Sequence, residues 1–263
     1  MPESELVVER QDAILTVTFN RPAERNALSQ AMLEGVKDTF TRLNAEQDVR
    51  VVVLRGAGGK AFSSGSDLTG LRQAVQRGVI PSSPDDPFEH ALAAVTACPL
   101  PVIALIQGFA LGGGCALATA CDIRIAGESS GLGMPPAKLG LLYSQNELRP
   151  FLDLIGPGRT KLLFFSGRMF RAEAALRFGL VDEVLPDEEV EHYAYALASE
   201  IATNAPLTVR NTKRIIRHLT AQSLGAPELA EITELIRQTQ HSDDFQEGVA
   251  AVLEKRRPTF RGR

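Results

Sequence analysis

Two glycine-bearing stretches place main-chain groups where they could do chemistry. The first is Ala61-Phe62-Ser63-Ser64-Gly65-Ser66-Asp67-Leu68, and the second is Gln107-Gly108-Phe109-Ala110-Leu111-Gly112-Gly113-Gly114-Cys115. Each follows a β-branched apolar run, Val49 to Leu54 and Pro101 to Ile106, that reads as a buried strand. The residues after Gly113, Gly114 to Ala120, are small and apolar, as in a buried helix. Gly113 then falls at a helix N-terminus, where main-chain N–H groups point outward unpaired. If the Ser66 and Gly113 N–H groups converge, they form a two-donor hole for a developing oxyanion, each donor worth roughly 3 kcal/mol of barrier. Taken alone, a glycine triplet at such a turn is a close-packing device.

The elements that must hold these turns can be read from periodicity. Ile14 to Phe19 alternates as a strand, and Met32, Leu33, Val36, Phe40 and Leu43 recur at helical spacing behind a capping Ser29. Ile123 to Ala126 is a further buried strand. Strand, helix, strand in this order predicts βαβ crossovers and a mostly parallel sheet, an α/β fold. Arg72 to Pro87, with its prolines, serines and paired aspartates, reads as a mobile loop over a functional face, so Asp85, Asp86 and Glu89 receive no position. After about residue 145 strand signals almost vanish. Ala194, Leu197, Ala198 and Ile201 follow helical spacing, as do Val209, Ile215, Ile216 and Leu219, and Leu229, Ile232, Leu235 and Ile236. The expected division is a core over 1–200 and a helical region over 201–263.

Composition narrows the rest. The 263 residues carry 44% apolar and 23% charged side chains, enough for a large core without disulfide or metal staples. The net charge of −4 disfavours general nucleic-acid or anionic-membrane binding. No apolar run reaches the roughly 18 residues of a membrane span. The start has no basic-then-apolar leader, and Cys98, Cys115 and Cys121 sit among apolar neighbours, so a cytoplasmic protein with reduced thiols is expected. Gly56 to Ala61 lacks the P-loop residues, with Leu54 and Ala61 where Gly and Ser/Thr are needed. No GxGxxG or GxSxG is present, and His90, His192, His218 and His241 have no ligand spacing. No metal site is expected.

Both glycine turns, Asn20-Arg21-Pro22 with Arg25-Asn26-Ala27-Leu28, Cys121-Asp122-Ile123-Arg124, Phe178-Gly179-Leu180-Val181-Asp182, Phe245-Gln246-Glu247-Gly248 and Glu254-Lys255-Arg256-Arg257-Pro258 run in one order along the chain. Together they resemble the crotonase, or enoyl-CoA hydratase/isomerase, superfamily over about residues 6 to 260. The resemblance implies a crotonase-type ββα spiral with a C-terminal helical trimerisation layer, forming a homotrimer or dimer of trimers. It also implies an acyl-CoA substrate, with coenzyme A as part of the substrate and no permanently bound cofactor. Ser66 and Gly113 would hold the thioester carbonyl. Arg25, Ala27, Leu28, Ser64, Asp67 and Leu68 would meet the nucleotide end, and Lys255 or Phe260 of a neighbouring subunit would join them.

Two glutamates that the resemblance implies for water addition are replaced here by Ala116 and Pro136, neither of which can move a proton. Decarboxylation of a malonyl-type thioester makes the same enolate without removing an α-proton. It is therefore the reaction expected first, and missing carboxylates would spare such a substrate repulsion. Lys138 to Ser144 is also similar to the methylmalonyl-CoA decarboxylase branch, which implies that Tyr143 faces the substrate carboxylate, although that branch has histidine where Ser66 stands here. Two other readings stand beside it. One is a hydratase or isomerase with Glu147 as replacement acid/base, and the other is a non-catalytic acyl-CoA carrier. Asp67 is read as a cap or loop-orienting residue.

Overall fold

Strand pairing decides the architecture. The computed structural model describes residues 4–67, 85–220, 231, 234, 238, 242–254, 256 and 258–263. Its strands are β1 (Leu6–Gln11), β2 (Ile14–Phe19), β3 (Val51–Gly56), β4 (Ala61–Ser63), β5 (Val102–Ile106), β6 (Phe109–Leu111), β7 (Ile123–Gly127), β8 (Gly131–Gly133), β9 (Met169–Arg171) and β10 (Glu183–Leu185). The described helices are α1 (Gln30–Arg42), α2 (Pro87–Ala97), α3 (Gly113–Ala120), α4 (Pro136–Leu139), α5 (Gln145–Ser166, broken at Gly156), α6 (Ala172–Phe178), α7 (Val190–Thr203), α8 (Pro206–Thr220) and α9 (Asp243–Glu254).

A six-stranded sheet runs β1-β2-β3-β5-β7-β10, and a four-stranded one β4-β6-β8-β9. The six-stranded sheet is parallel apart from the β1–β2 hairpin. Three successive strand pairs, β3/β4, β5/β6 and β7/β8, each give their first strand to the large sheet and their second to the small one. A helix follows each pair, α2, α3 and α4 in turn. This is a spiral of ββα turns in a mixed α/β fold.

The pleat of β3 sorts its run of valines to both faces. Val52 and Leu54 join Met32, Val36 and Phe40 of α1 in the main core, whereas Val51 and Val53 pack with Val190, Ala194 and Ala198 of α7. Ser29 caps α1 as expected, accepting from Met32 N at 3.1 Å. Asp122 accepts from Val102 N at 2.7 Å and from Lys213 Nζ at 2.6 Å, so this motif residue fastens strands to α8. Arg124 Nη2 meets Asp182 at 2.6 Å, tying β7 to the chain before β10. The three thiols are buried and unpaired with one another, and desolvation pushes Cys115 up to about 12.

Two expectations change. Strands do continue past residue 145, as β9 and β10; both are three residues long, too short to alternate visibly. The stretch read as a loop through Pro87 ends in a helix start, because Asp86 caps α2 through Phe88 N at 2.9 Å and Pro87 takes its first position. The rest of that loop lies largely outside the described residues. Helix α8 forms where Val209, Ile215, Ile216 and Leu219 placed it, yet none of its residues is buried, and Ile216 and Leu219 stand exposed. Leu229, Ile232, Leu235 and Ile236 lie outside the described residues. Among the described residues no helix is long and apolar enough to cross a membrane.

Candidate active site

Both glycine turns leave the small sheet at neighbouring strand ends. β4 pairs with β6 in parallel, and their continuations carry Ser66 and Gly113. On its other edge the β4 line meets Leu28, whose N–H donates to Gly65 O at 2.8 Å and whose carbonyl accepts from Asp67 N at 3.1 Å. In such a parallel bridge the residue between the two bonds has its own N–H turned away from the partner. Ser66 N–H therefore points from Leu28 toward the edge that Gly112 and Gly113 extend. Gly113 is the first residue of α3, so its N–H has no partner within the helix. Among the described residues no acceptor takes either N–H.

The turns touch because glycine stands at Gly65 and Gly112. Gly65 has φ +94°, and a Cβ there would lie 2.7 Å from Leu111 O and 3.3 Å from Gly113 N. Gly112 caps α3 with φ +51°, conformations that L side chains rarely adopt. A Cβ on Gly112 would sit 4.0 Å from Gly65 Cα and 3.6 Å from the Tyr143 hydroxyl. Gly65, the Gly112–Gly113 turn and the Tyr143 hydroxyl are thus close neighbours.

Apolar residues close in around them. Phe88 and Leu28 pack against Gly113, and Ala116, Pro136 and Met134 are buried. Tyr143 is 9% exposed and stands edge-on to Phe164 at 5.8 Å. Burial first, then the Glu147 carboxylate and lesser charges including Asp86, hold its phenol well above the usual tyrosine range. It is a neutral hydrogen-bond donor at ordinary pH.

Glu147 is 2% exposed and lies in a capping box. Its Oε2 accepts from Ser144 N at 2.6 Å, while Ser144 Oγ accepts from Glu147 N at 3.2 Å. Glu89, left without a position by the sequence, is buried on α2 and accepts from the Ser144 hydroxyl.

The expected nucleotide-side residues form one arm. Ser64 N donates to Arg25 O at 3.0 Å, and Arg21 Nη1 reaches Ala27 O at 2.9 Å and Asp67 Oδ2 at 3.3 Å. The Arg25 side chain is exposed. Leu68 and Lys255 lie outside the described residues, and the Phe260 ring sits against Gly248 of its own chain. Sequence reasoning did not assign a role to Arg21 or Asn26. Asn26 is buried at φ +56°, and its amide donates to Ala57 O at 3.0 Å and Ala61 O at 2.7 Å, holding the arm to β4. Among the described residues no group of His, Cys, Asp and Glu could hold a metal ion. An open groove of about 840 Å³, lined by Thr16, Arg55, Glu191 and Tyr195, lies away from these turns.

Comparison with known proteins agrees along the whole chain. The sequence profile described as "Enoyl-CoA hydratase/isomerase" matches residues 9–263. The 2,3-dehydroadipyl-CoA hydratase of Escherichia coli K12 is 32% identical over 260 residues, covering 99% of this chain and 100% of that protein. The methylmalonyl-CoA decarboxylase of the same organism is 30% identical, covering 95% of each. A crystal structure of an enoyl-CoA hydratase from Bacillus anthracis superposes with a TM-score of 0.89 at 34% identity, covering 99% of this chain and 100% of that one.

Proposed function

This chain belongs to the enoyl-CoA hydratase/isomerase family and is an enzyme of acyl-CoA chemistry, and we propose that its reaction is decarboxylation of a malonyl-type CoA thioester. The observation that carries this reading is the Tyr143 hydroxyl beside the Gly112–Gly113 turn, and it is supported by Ala116 and Pro136 at the positions where the resemblance implies proton-moving glutamates. The thioester oxygen accepts from Ser66 N–H and Gly113 N–H. Tyr143, kept protonated by burial, donates to the substrate carboxylate and turns its C–C bond toward the thioester plane. That bond breaks with its electron pair staying on the α-carbon and delocalising onto the thioester oxygen; CO₂ leaves, and water protonates the α-carbon of the enolate.

Charge then moves in a favourable direction. It leaves the substrate carboxylate and arrives at two N–H donors and the positive end of α3. On this reading Arg25, Ala27, Leu28, Ser64, Asp67 and Leu68 receive the nucleotide end. The exposed Leu142, Phe165, Ile216 and Leu219 are covered by other copies in a trimer or paired trimers.

A hydratase or isomerase is the second reading, favoured by relatives that carry hydratase names. Its candidate acid/base, Glu147, has one carboxylate oxygen engaged in the cap of α5. The purified protein, incubated separately with methylmalonyl-CoA, crotonyl-CoA and a long-chain acyl-CoA, decides the matter. CO₂ release supports decarboxylation, water addition to crotonyl-CoA supports the second reading, and tight binding without turnover marks a carrier.

A further inference from the structure

Helix α2 buries a carboxylate that the reaction just described does not use. We propose that Glu89 is a positioning residue, holding Tyr143 beside the Gly112–Gly113 turn through the hydroxyl of Ser144. The inference rests on the role given to Tyr143.

Glu89 is 6% exposed, and a polar group at such a depth needs hydrogen-bond partners. Its own helix is already capped by Asp86 through Phe88 N. Glu89 reaches across instead to the start of α5. One oxygen accepts from Ser144 Oγ, and the other lies 3.5 Å from Asn146 Nδ2. Ser144 is then held on every side. Its N–H goes to Glu147, its hydroxyl proton goes to Glu89, and its oxygen accepts from Glu147 N.

The residue before this anchor is Tyr143. With Ser144 pinned and the ring edge-on to Phe164, the phenol has little freedom in where its hydroxyl lands. Glu147 alone would still cap α5, so Glu89 adds position rather than helix formation. Its helix is the next described element after the Ser66 turn, so the link joins the two walls of the site.

Glu89→Leu removes the acceptor, and Glu89→Gln keeps a carbonyl that Ser144 can donate to. For methylmalonyl-CoA, Glu89→Leu is expected to lower kcat about tenfold or more with KM within about twofold, as small misplacement of a reacting group does. Glu89→Gln should recover most of the rate. With tyrosine labelled at the ring Cζ, the Tyr143 signal, identified by its loss in Tyr143→Phe, should shift or broaden in Glu89→Leu and not in Glu89→Gln. Should Glu89→Leu fail to fold, Ser144→Ala opens the same link from the other end and should give the same two changes. An unmoved Tyr143 signal with wild-type kcat in these variants overturns the proposal. If the wild-type protein releases no CO₂, the decarboxylation reading fails by itself, and the Tyr143 signal still decides whether Glu89 positions the ring.

Discussion

Gly113 shows what a single main-chain atom contributes. Gly113→Pro deletes one donor of the proposed oxyanion hole and should lower CO₂ release by a factor on the order of 10² to 10³. Any side chain there also meets Phe88 Cε2 at 2.9 Å and Leu28 Cδ1 at 3.2 Å. Gly113→Ala carries that crowding but keeps the N–H, so it should remain at least about tenfold faster than the proline variant; equal steady-state rates would mean that the N–H does nothing. Tyr143→Phe keeps the ring and loses the hydroxyl, and decarboxylation should slow at least about tenfold, or about 1.4 kcal/mol. An unchanged kcat would leave Tyr143 a packed aromatic. These residues were legible because each sits in a local pattern, a strand followed by glycine and a small-residue helix, or a run similar to a known branch. Glu89 and Asn26 were not legible in role. Glu89 finds Ser144 55 positions away, and Asn26 finds Ala61 35 positions away, and no spacing rule joins such partners before the chain has folded.

Helix α3 and strand β4 lie almost in contact, as the proposed sharing of one oxygen by the two N–H groups requires. A Cβ at Gly114 would come 2.6 Å from both the Cβ and the carbonyl oxygen of Ser63, so α3 can seat on β4 only without a side chain there. Gly114→Ala should push the helix off the strand at a cost of about 1 to 3 kcal/mol, the usual range for overpacking. Thermal unfolding should begin at a lower temperature, and CO₂ release should fall even though both donors remain. A variant with wild-type stability and rate would show that this contact does not set the hole. The long elements of the scaffold could be read from sequence for a physical reason. β3 and β5 are buried on both faces and appear as unbroken apolar runs, while α1 keeps one apolar stripe behind Ser29. β4, β6, β8 and β9 have three residues each and are recruited by their neighbours in the ββα spiral, so propensity leaves almost no trace of them. The start of α2 was hidden because its cap, Asp86, stands just after a proline- and serine-rich stretch of sequence.

At the scale of the molecule the C-terminal segment returns to the body through two acids of α9. Asp244 accepts from Arg261 N at 2.6 Å and Gly262 N at 2.8 Å, while Glu247 accepts from Arg256 Nη1 at 2.6 Å and Thr259 N at 2.8 Å. Arg50, at the foot of β3, holds the same segment through Phe260 O at 2.8 Å. In the sequence the run Glu254 to Pro258 carries part of the resemblance but no fold of its own; in the structure Arg256 takes its direction from Glu247, earlier on α9. The hydrogen bond from Arg256, followed by that from Thr259, holds the Glu247 carboxyl down from the ordinary 4.5 to about 2. A carboxyl lowered by folding stabilises the folded form above its unfolded value and loses that contribution as the pH falls through its folded one. The tail should therefore stay docked at neutral pH and loosen between about pH 4.5 and 2 before the sheets unfold, since β3 and β5 are held chiefly by buried apolar side chains. Amide exchange at Thr259, followed by NMR from pH 6 downward, should rise in that window while the β3 amides remain protected. Glu247→Gln should show the same rise already at neutral pH. Exchange at Thr259 that stays slow to pH 2, or that rises only together with β3, would mean that Glu247 does not hold the segment and that Asp244 and Arg50 suffice.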